Sequence, residues 1–310
     1  MTKISATAYI IATGLAKLSE MPRWKKYFAE DVLSEESVSL NRVFMRHGGD
    51  SLVKRLIYAL PPRLMTGLMD RLYVPGMTQH YLFRKRWIER HVSAGLDRGV
   101  RQVILLGAGL DTLALRLAKR WPAARFLEVD LPTTQRAKLA ILRRSGFTLP
   151  GNCRFEAADL GKMSLAAVLT ADPHFDGAAP TMVTLEGVLM YLTESEVKPL
   201  FSELGRLFTG SLHIVYGALA APDRDRDSLK RFTRFLLASG AEGAKWHCPP
   251  SAMPEFMERL GFRMVENISY KALQRLYRSV TELAQVPEHD EDYFLVAKQA
   301  QERPNDARSQ

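Results

Sequence analysis

Cysteine is nearly absent from this chain of 310 residues, which holds only Cys153 and Cys248. Two thiols so far apart exclude a disulfide framework. Neither has a partner at metal-ligand spacing, since His247 precedes Cys248 without a second pair. No metal is expected, and two unmodified thiols fit a reducing compartment. Also missing is any apolar run near the roughly 20 residues that a bilayer-crossing helix needs. The most apolar early stretch, ATAYIIATGLA after Lys3, contains two threonines and a glycine and continues into KLSE without a small-residue cleavage site. We therefore expect a cytoplasmic protein with no membrane partner.

The chain lacks a solid basic block as well, although its formal net charge is +9. Residues 1–100 hold sixteen Lys and Arg against nine Asp and Glu, so most of the excess lies in the first third, interleaved with apolar residues. No nucleic-acid-binding motif accompanies it, and no nucleic-acid partner is expected. The excess is read either as a solvated basic surface or as a rim that attracts an acidic substrate or partner.

What is present is an α/β pattern. Apolar runs suited to strands (QVILLGA, RFLEVD, CRFEAAD, TMVTLEG and SLHIVYGAL) alternate with amphipathic segments, as in a mostly parallel sheet with crossover helices. FRMVENI and DYFLVAK add a late, hairpin-like pair, which makes about seven strands. Residues 1–90 read as a helical N-terminal cap broken at Pro61-Pro62 and Pro75-Gly76, and residues 91–300 as the core with an insertion near 220–255. The tail 301–310 has no apolar face and is expected to be disordered. Met45, Met65, Met69 and Met77 are read as cap core, with an adaptable substrate pocket as the alternative.

Chemistry concentrates at GAGLDT, where Gly107, Ala108 and Gly109 join a strand to a helix. Such a turn opens nucleotide-binding βαβ units, but the dinucleotide fingerprint wants a small residue where Thr112 stands. Asp111, read as part of the first helical turn, would repel a phosphate from the amide donors. The acid suits instead a cationic ligand, and S-adenosyl-L-methionine carries a sulfonium and an α-ammonium. Asp130, at the end of RFLEVD, is placed to bind two ribose hydroxyls of either cofactor class. Helix capping remains the alternative for both acids.

GAGLDT, FLEVDLPTTQRAK, AADL and LEGVLMYL, in this order, resemble the leucine carboxyl methyltransferase-like O-methyltransferases, a branch of the class I S-adenosyl-L-methionine-dependent enzymes. The likeness runs from about residue 5 to 210, with an echo in MPEFMERLGF. It implies a Rossmann-like methyltransferase fold with S-adenosyl-L-methionine as cofactor. It also implies a role for each matching residue. Arg84 or Arg86 would pair with the cofactor carboxylate; Gly107, Ala108 and Gly109 would pass close to its methionine part, with Asp111 beside them. Asp130 and Leu131 would hold the ribose end, Asp159 and Leu160 the adenine, and Glu186 would face the ammonium. Two residues depart from the pattern: Leu113 and Gly161 stand where relatives often have arginine.

Methyl transfer from a sulfonium is an in-line displacement, so positioning and water exclusion are the main demands. A carboxylate acceptor is already ionised at neutral pH and needs no base. A phenol or alcohol would need one, and His80, four residues before Arg84, is the candidate, with Tyr191 placed to orient the acceptor. The expected acceptor is a small acid, free or carrier-bound; hydroxyl methylation is the alternative. A nicotinamide-dependent oxidoreductase and a non-catalytic cofactor-binding protein are the readings from other classes.

Overall fold

The structure is a computed structural model that describes residues 5–48, 59–72, 76–220, 243–281 and 292–299. The N-terminal region supplies α1 (Ala6–Leu18), α2 (Pro22–Phe28), α3 (Glu35–Gly48), α4 (Pro62–Leu72) and α5 (Met77–Asp97). There follow β1 (Gln102–Leu106), α6 (Leu113–Arg120), β2 (Arg125–Asp130), α7 (Pro132–Arg144), β3 (Cys153–Ala157), α8 (Leu165–Thr170) and β4 (Thr181–Leu185). The chain continues through a 3-10 turn at Leu189–Tyr191, α9 (Glu194–Leu207), β5 (Leu212–Leu219), α10 (Met253–Arg259), β6 (Phe262–Ser269), α11 (Tyr270–Thr281) and β7 (Asp292–Gln299).

Among the described residues the seven strands form one sheet in the order β3-β2-β1-β4-β5-β7-β6. The first five are parallel, and β7 runs antiparallel between β5 and β6. The expected late pair is thus present, and its second strand is the one that joins the parallel part. The direction of winding reverses between β1 and β4, which puts the crevice where such sheets bind ligands at the carboxyl ends of these two strands. Both strands are buried at every position, because helices cover both faces.

Alternate strand residues supply two cores. Ile104, Leu127, Val183 and Ile214 face a layer that includes Val168, Phe201 and Met257 of α8, α9 and α10. Val103, Phe126, Met182 and Val215 face the other layer, where α6, α7 and α11 meet residues of the N-terminal helices such as Leu15, Trp24, Phe44 and Trp87. The early helices therefore share a core with the sheet. The run ATAYIIATGLA falls in α1, where Tyr9, Ala12, Leu15 and Leu18 are buried in that core. Met65 is buried and Met45 half-buried, whereas the side chains of Met69 and Met77 lie outside the described residues. So do residues 221–242 of the expected insertion and the whole tail 301–310. No described helix is long and apolar enough to cross a membrane.

Charged side chains are built into the second layer. Lys138 of α7 donates to Glu128 of β2 and to the carbonyl of Asp111, both at 2.6 Å, and neither side chain of the pair reaches solvent. Burial pushes the Glu128 carboxyl up to about 7 against the pull of Lys138. Arg116 of α6 makes a two-pronged pair with Glu89 of α5 at 2.6 and 2.7 Å, and Arg86 of α5 pairs with Asp31 at 3.1 Å. Burial raises Asp31 to about 6, with Arg86 opposing.

Two outcomes follow from these pairs. Lys138→Met should cost about 3 kcal/mol in urea unfolding, because it strands a buried acid, and the double variant with Glu128→Gln should recover much of that loss. Asp31 binds its proton more tightly in the fold than in the unfolded chain, so its contribution is complete below about pH 4 and fades as pH rises through 6. The stability of Asp31→Asn relative to the parent should therefore climb across that window, by up to roughly 3 kcal/mol. A flat difference in unfolding free energy from pH 4 to 7 would contradict this.

Candidate functional site

The turn after β1 rests on two left-handed glycines, Gly107 with φ +70° and Gly109 with φ +53°. A Cβ at Gly107 would lie 2.3 Å from Cγ2 of Val188, so the segments after β1 and β4 touch there. A Cβ at Gly109 would lie 3.1 Å from that of Ala8, which lays α1 across the turn. Ala108 between them is buried. Asp130 accepts from the Gly109 amide through Oδ2 at 2.6 Å and from the Leu131 amide through Oδ1 at 2.7 Å. It thereby ties the turn to the end of β2 and keeps lone pairs for other donors. Burial raises its pKa, against these two amides. The amide donors on this turn are thus already partly committed to a carboxylate. The Leu131 side chain stays largely exposed beside it.

Asp111 stands just outside the helix, a small correction to the sequence reading: α6 begins at Leu113, with Thr112 at its cap. The physical reason is that Oδ1 of Asp111 accepts from the Leu113 amide at 2.9 Å, which serves the helix end from outside. Its Oδ2 meets Nζ of Lys85 at 2.8 Å, and the same Nζ reaches Oε2 of Glu186 at 3.1 Å. Glu186, directly after β4, also accepts at Oε1 from Nε and Nη2 of Arg84, at 3.0 and 2.8 Å. Two cations of α5 and two acids from separate strand ends thus form a nearly buried, neutral set at the crevice. Burial alone would raise the Asp111 pKa, but Lys85, the Leu113 amide and Lys138 hold it below the usual carboxylate range. Burial would also lower Lys85, and the attraction of Asp111 and Glu186 outweighs it.

The structure separates the two arginines left open by the sequence. Residues 84 and 86 point about 200° apart on a helix. Arg84 lies at the strand ends, with its guanidinium 5.1 Å from the centre of the Tyr81 ring. Arg86 turns to Asp31 and lies over the rings of Phe28 and Tyr277, at 4.5 and 5.7 Å. His80 is buried against aromatic rings, 4.3 Å from Tyr270 and 6.0 Å from Phe294. The Tyr191 hydroxyl lies 3.4 Å from that of Thr7 on α1, and burial raises its pKa.

Asp159 and Leu160 start from the same edge of the sheet, since the Ala158 amide donates to the Asp130 carbonyl at 2.9 Å. Asp159 accepts from the Gly161 amide and pairs with Lys162, while Leu160 is half-buried. A Cβ at Gly161 would lie 3.2 Å from the Glu196 carboxylate, which closes the capping box of α9 with Thr193. Leu113, the other departure, is buried in the core shared with α5.

Sequence reasoning missed Lys85, Tyr81, Thr7 and Ala8. A signal for Lys85 was available. Two acids assigned to one ligand ammonium repel each other when no ligand is bound, and Lys85 is the cation beside Arg84 on the helix. Cys153 and Cys248 are both buried free thiols, and among the described residues no group of three His, Cys, Asp or Glu could hold a metal.

A sequence profile described as leucine carboxyl methyltransferase matches residues 39–205, more than half of the chain. A Mycobacterium marinum protein that carries the provisional name S-adenosyl-L-methionine-dependent methyltransferase is 37% identical over 129 residues, which is 41% of this chain and 39% of that protein. A Mycobacterium leprae protein with the same provisional name is 33% identical over 163 residues, covering 50% of this chain and 52% of its own length. The matches thus span about half or less of these relatives. In three dimensions, a DUF574 family protein from Streptomyces avermitilis superposes with a TM-score of 0.58 at 18% identity, over 84% of this chain and 97% of that one. A Thermobifida fusca chain provisionally named a methyltransferase gives 0.53 at 17% identity, over 82% and 92%. These likenesses establish the Rossmann-like fold of such proteins, and the profile match establishes that the chain belongs to the leucine carboxyl methyltransferase family.

Proposed function

We propose that the protein is an S-adenosyl-L-methionine-dependent O-methyltransferase whose acceptor is a carboxylate on a small molecule, free or carrier-bound. The observation that carries this reading is the meeting of Arg84, Asp111 and Glu186 at the reversal point of the sheet, beside the glycine turn and Asp130. The residues fit the cofactor in their chemistry. Arg84 offers a guanidinium to an α-carboxylate, Asp111 and Glu186 offer acids to an α-ammonium, and Asp130 can accept from ribose hydroxyls. Leu131 and Leu160 present apolar surface near the adenine acceptor Asp159. A dinucleotide fits less well, because the Gly109 amide is occupied by Asp130 and the cations of the cluster are already neutralised.

The bound cofactor supplies an electrophilic methyl group on a sulfonium. The chain has to hold the acceptor oxygen in line with it and keep water away. Helix α1 covers the glycine turn through Ala8 and carries Thr7 to Tyr191. With its pKa raised, Tyr191 stays protonated at neutral pH and can donate to one oxygen of a carboxylate while the other attacks. An ionised acid requires no proton transfer, so this reading gives no base role to His80, which packs against Tyr270 and Phe294. The exposed Arg23, Lys25 and Lys26 of α2 would favour an acidic acceptor or carrier. The two buried thiols suit the reducing cytoplasm.

Calorimetry should detect S-adenosylhomocysteine and no NAD. Asp130→Ala should weaken that binding at least tenfold, about 1.4 kcal/mol, with the circular dichroism spectrum preserved. Tight NAD uptake without the methyl-donor product would refute the cofactor assignment. Incubation with methyl-labelled donor and cell extract should label a product that mild alkali cleaves to methanol, as it does an ester. Label that survives alkali would rule out a carboxylate acceptor, with mass spectrometry of the product then separating an ether from N-, S- or C-methylation.

A further inference from the structure

Lys85 is the one member of the buried charge cluster that the proposed chemistry leaves without a task. Its ammonium lies 2.8 Å from Asp111 and 3.1 Å from Glu186, so it occupies the space between the two acids that would receive a ligand ammonium. We propose that Lys85 is a stand-in cation, which holds these acids together in the free protein and gives up its place to the α-ammonium of the bound methionine moiety. It would thus be a positioning residue that selects ligands with an amino-acid end. The inference rests on the cofactor reading above.

Three observations support it. The acids come from separate strand ends and are nearly buried, so without a cation between them they would repel in a medium that screens poorly. Lysine suits a temporary role better than arginine does, because its charge sits on a flexible four-carbon stem, whereas Arg84 is fixed by two bonds to a single oxygen. Charge also balances before and after. The four side chains sum to zero, and the ammonium and carboxylate of the ligand's amino-acid end add zero, with that carboxylate available to Arg84. The exchange needs no change in the protonation of any group.

The test compares S-adenosylhomocysteine with 5′-methylthioadenosine, which lacks the amino-acid end, on the full-length chain. Calorimetry and thermal melting are run for the parent, Lys85→Met and Lys85→Arg. Lys85→Met should melt earlier when free, bind S-adenosylhomocysteine at least fivefold more tightly and bind methylthioadenosine as the parent does. Lys85→Arg should restore the melting point and bind S-adenosylhomocysteine no more tightly than the parent. Weaker S-adenosylhomocysteine binding by Lys85→Met would make Lys85 a direct ligand contact. Equal changes for both compounds would make it merely structural, and no change for either would make it idle; each result overturns the proposal. Should Lys85→Met not fold, Lys85→Gln, which can still bond both acids, gives the same comparison. A parent protein that binds neither compound would instead refute the cofactor reading.

Discussion

Two ionised carboxylates in one buried crevice need cations beside them, and that constraint governs how this molecule is put together. Asp111 and Glu186 lie at the carboxyl ends of β1 and β4 because the sheet reverses direction between those strands. Their counter-charges, Arg84 and Lys85, lie on α5, a helix that belongs to the N-terminal region. Docking of that helix onto the strand ends is therefore an electrostatic requirement as well as a matter of apolar burial. The desolvation of four charged groups is offset only when the geometry satisfies all of them.

The same helix repeats the solution along its length. Arg86 meets Asp31 beyond α2, and Glu89 meets Arg116 of α6, so neighbouring residues of one short stretch fasten it to three parts of the chain. On the opposite side of the glycine turn, Lys138 bonds both Glu128 and the Asp111 carbonyl. Asp111 is thereby fixed from two directions: its carboxylate by α5 and its backbone by α7. The turn it belongs to is closed from a third by Asp130. Rigid placement of this kind keeps the Asp111 carboxylate in position whichever cation it meets.

Much of the fold was legible in the sequence, because central parallel strands read as unbroken apolar runs and the glycine turn marks the first crossover. The position of β7 between β5 and β6 was not, since pairing order depends on which edge each late strand meets and local pattern carries no record of it. At the site, the residues next to strand ends were legible because a strand end fixes where a side chain can be. Residues on α5 were not resolved in the same way. Arg84, Lys85 and Arg86 differ there only by 100° steps, and the sequence does not say which step faces the sheet. His80 shares the helix with Arg84, yet its surroundings include Tyr270 and Phe294, about two hundred residues later in the chain.

Helix α1 lies over the glycine turn and reaches the Tyr191 hydroxyl within two consecutive residues. Ala8 of α1 fits against Gly109 only because that glycine has no side chain, and one residue earlier Thr7 reaches the Tyr191 hydroxyl. A shift of α1 away from the turn would therefore move the partner of Tyr191 at the same time. In the proposed reading, water exclusion and acceptor orientation would both depend on α1, through Ala8 at the glycine turn and Thr7 at the Tyr191 hydroxyl.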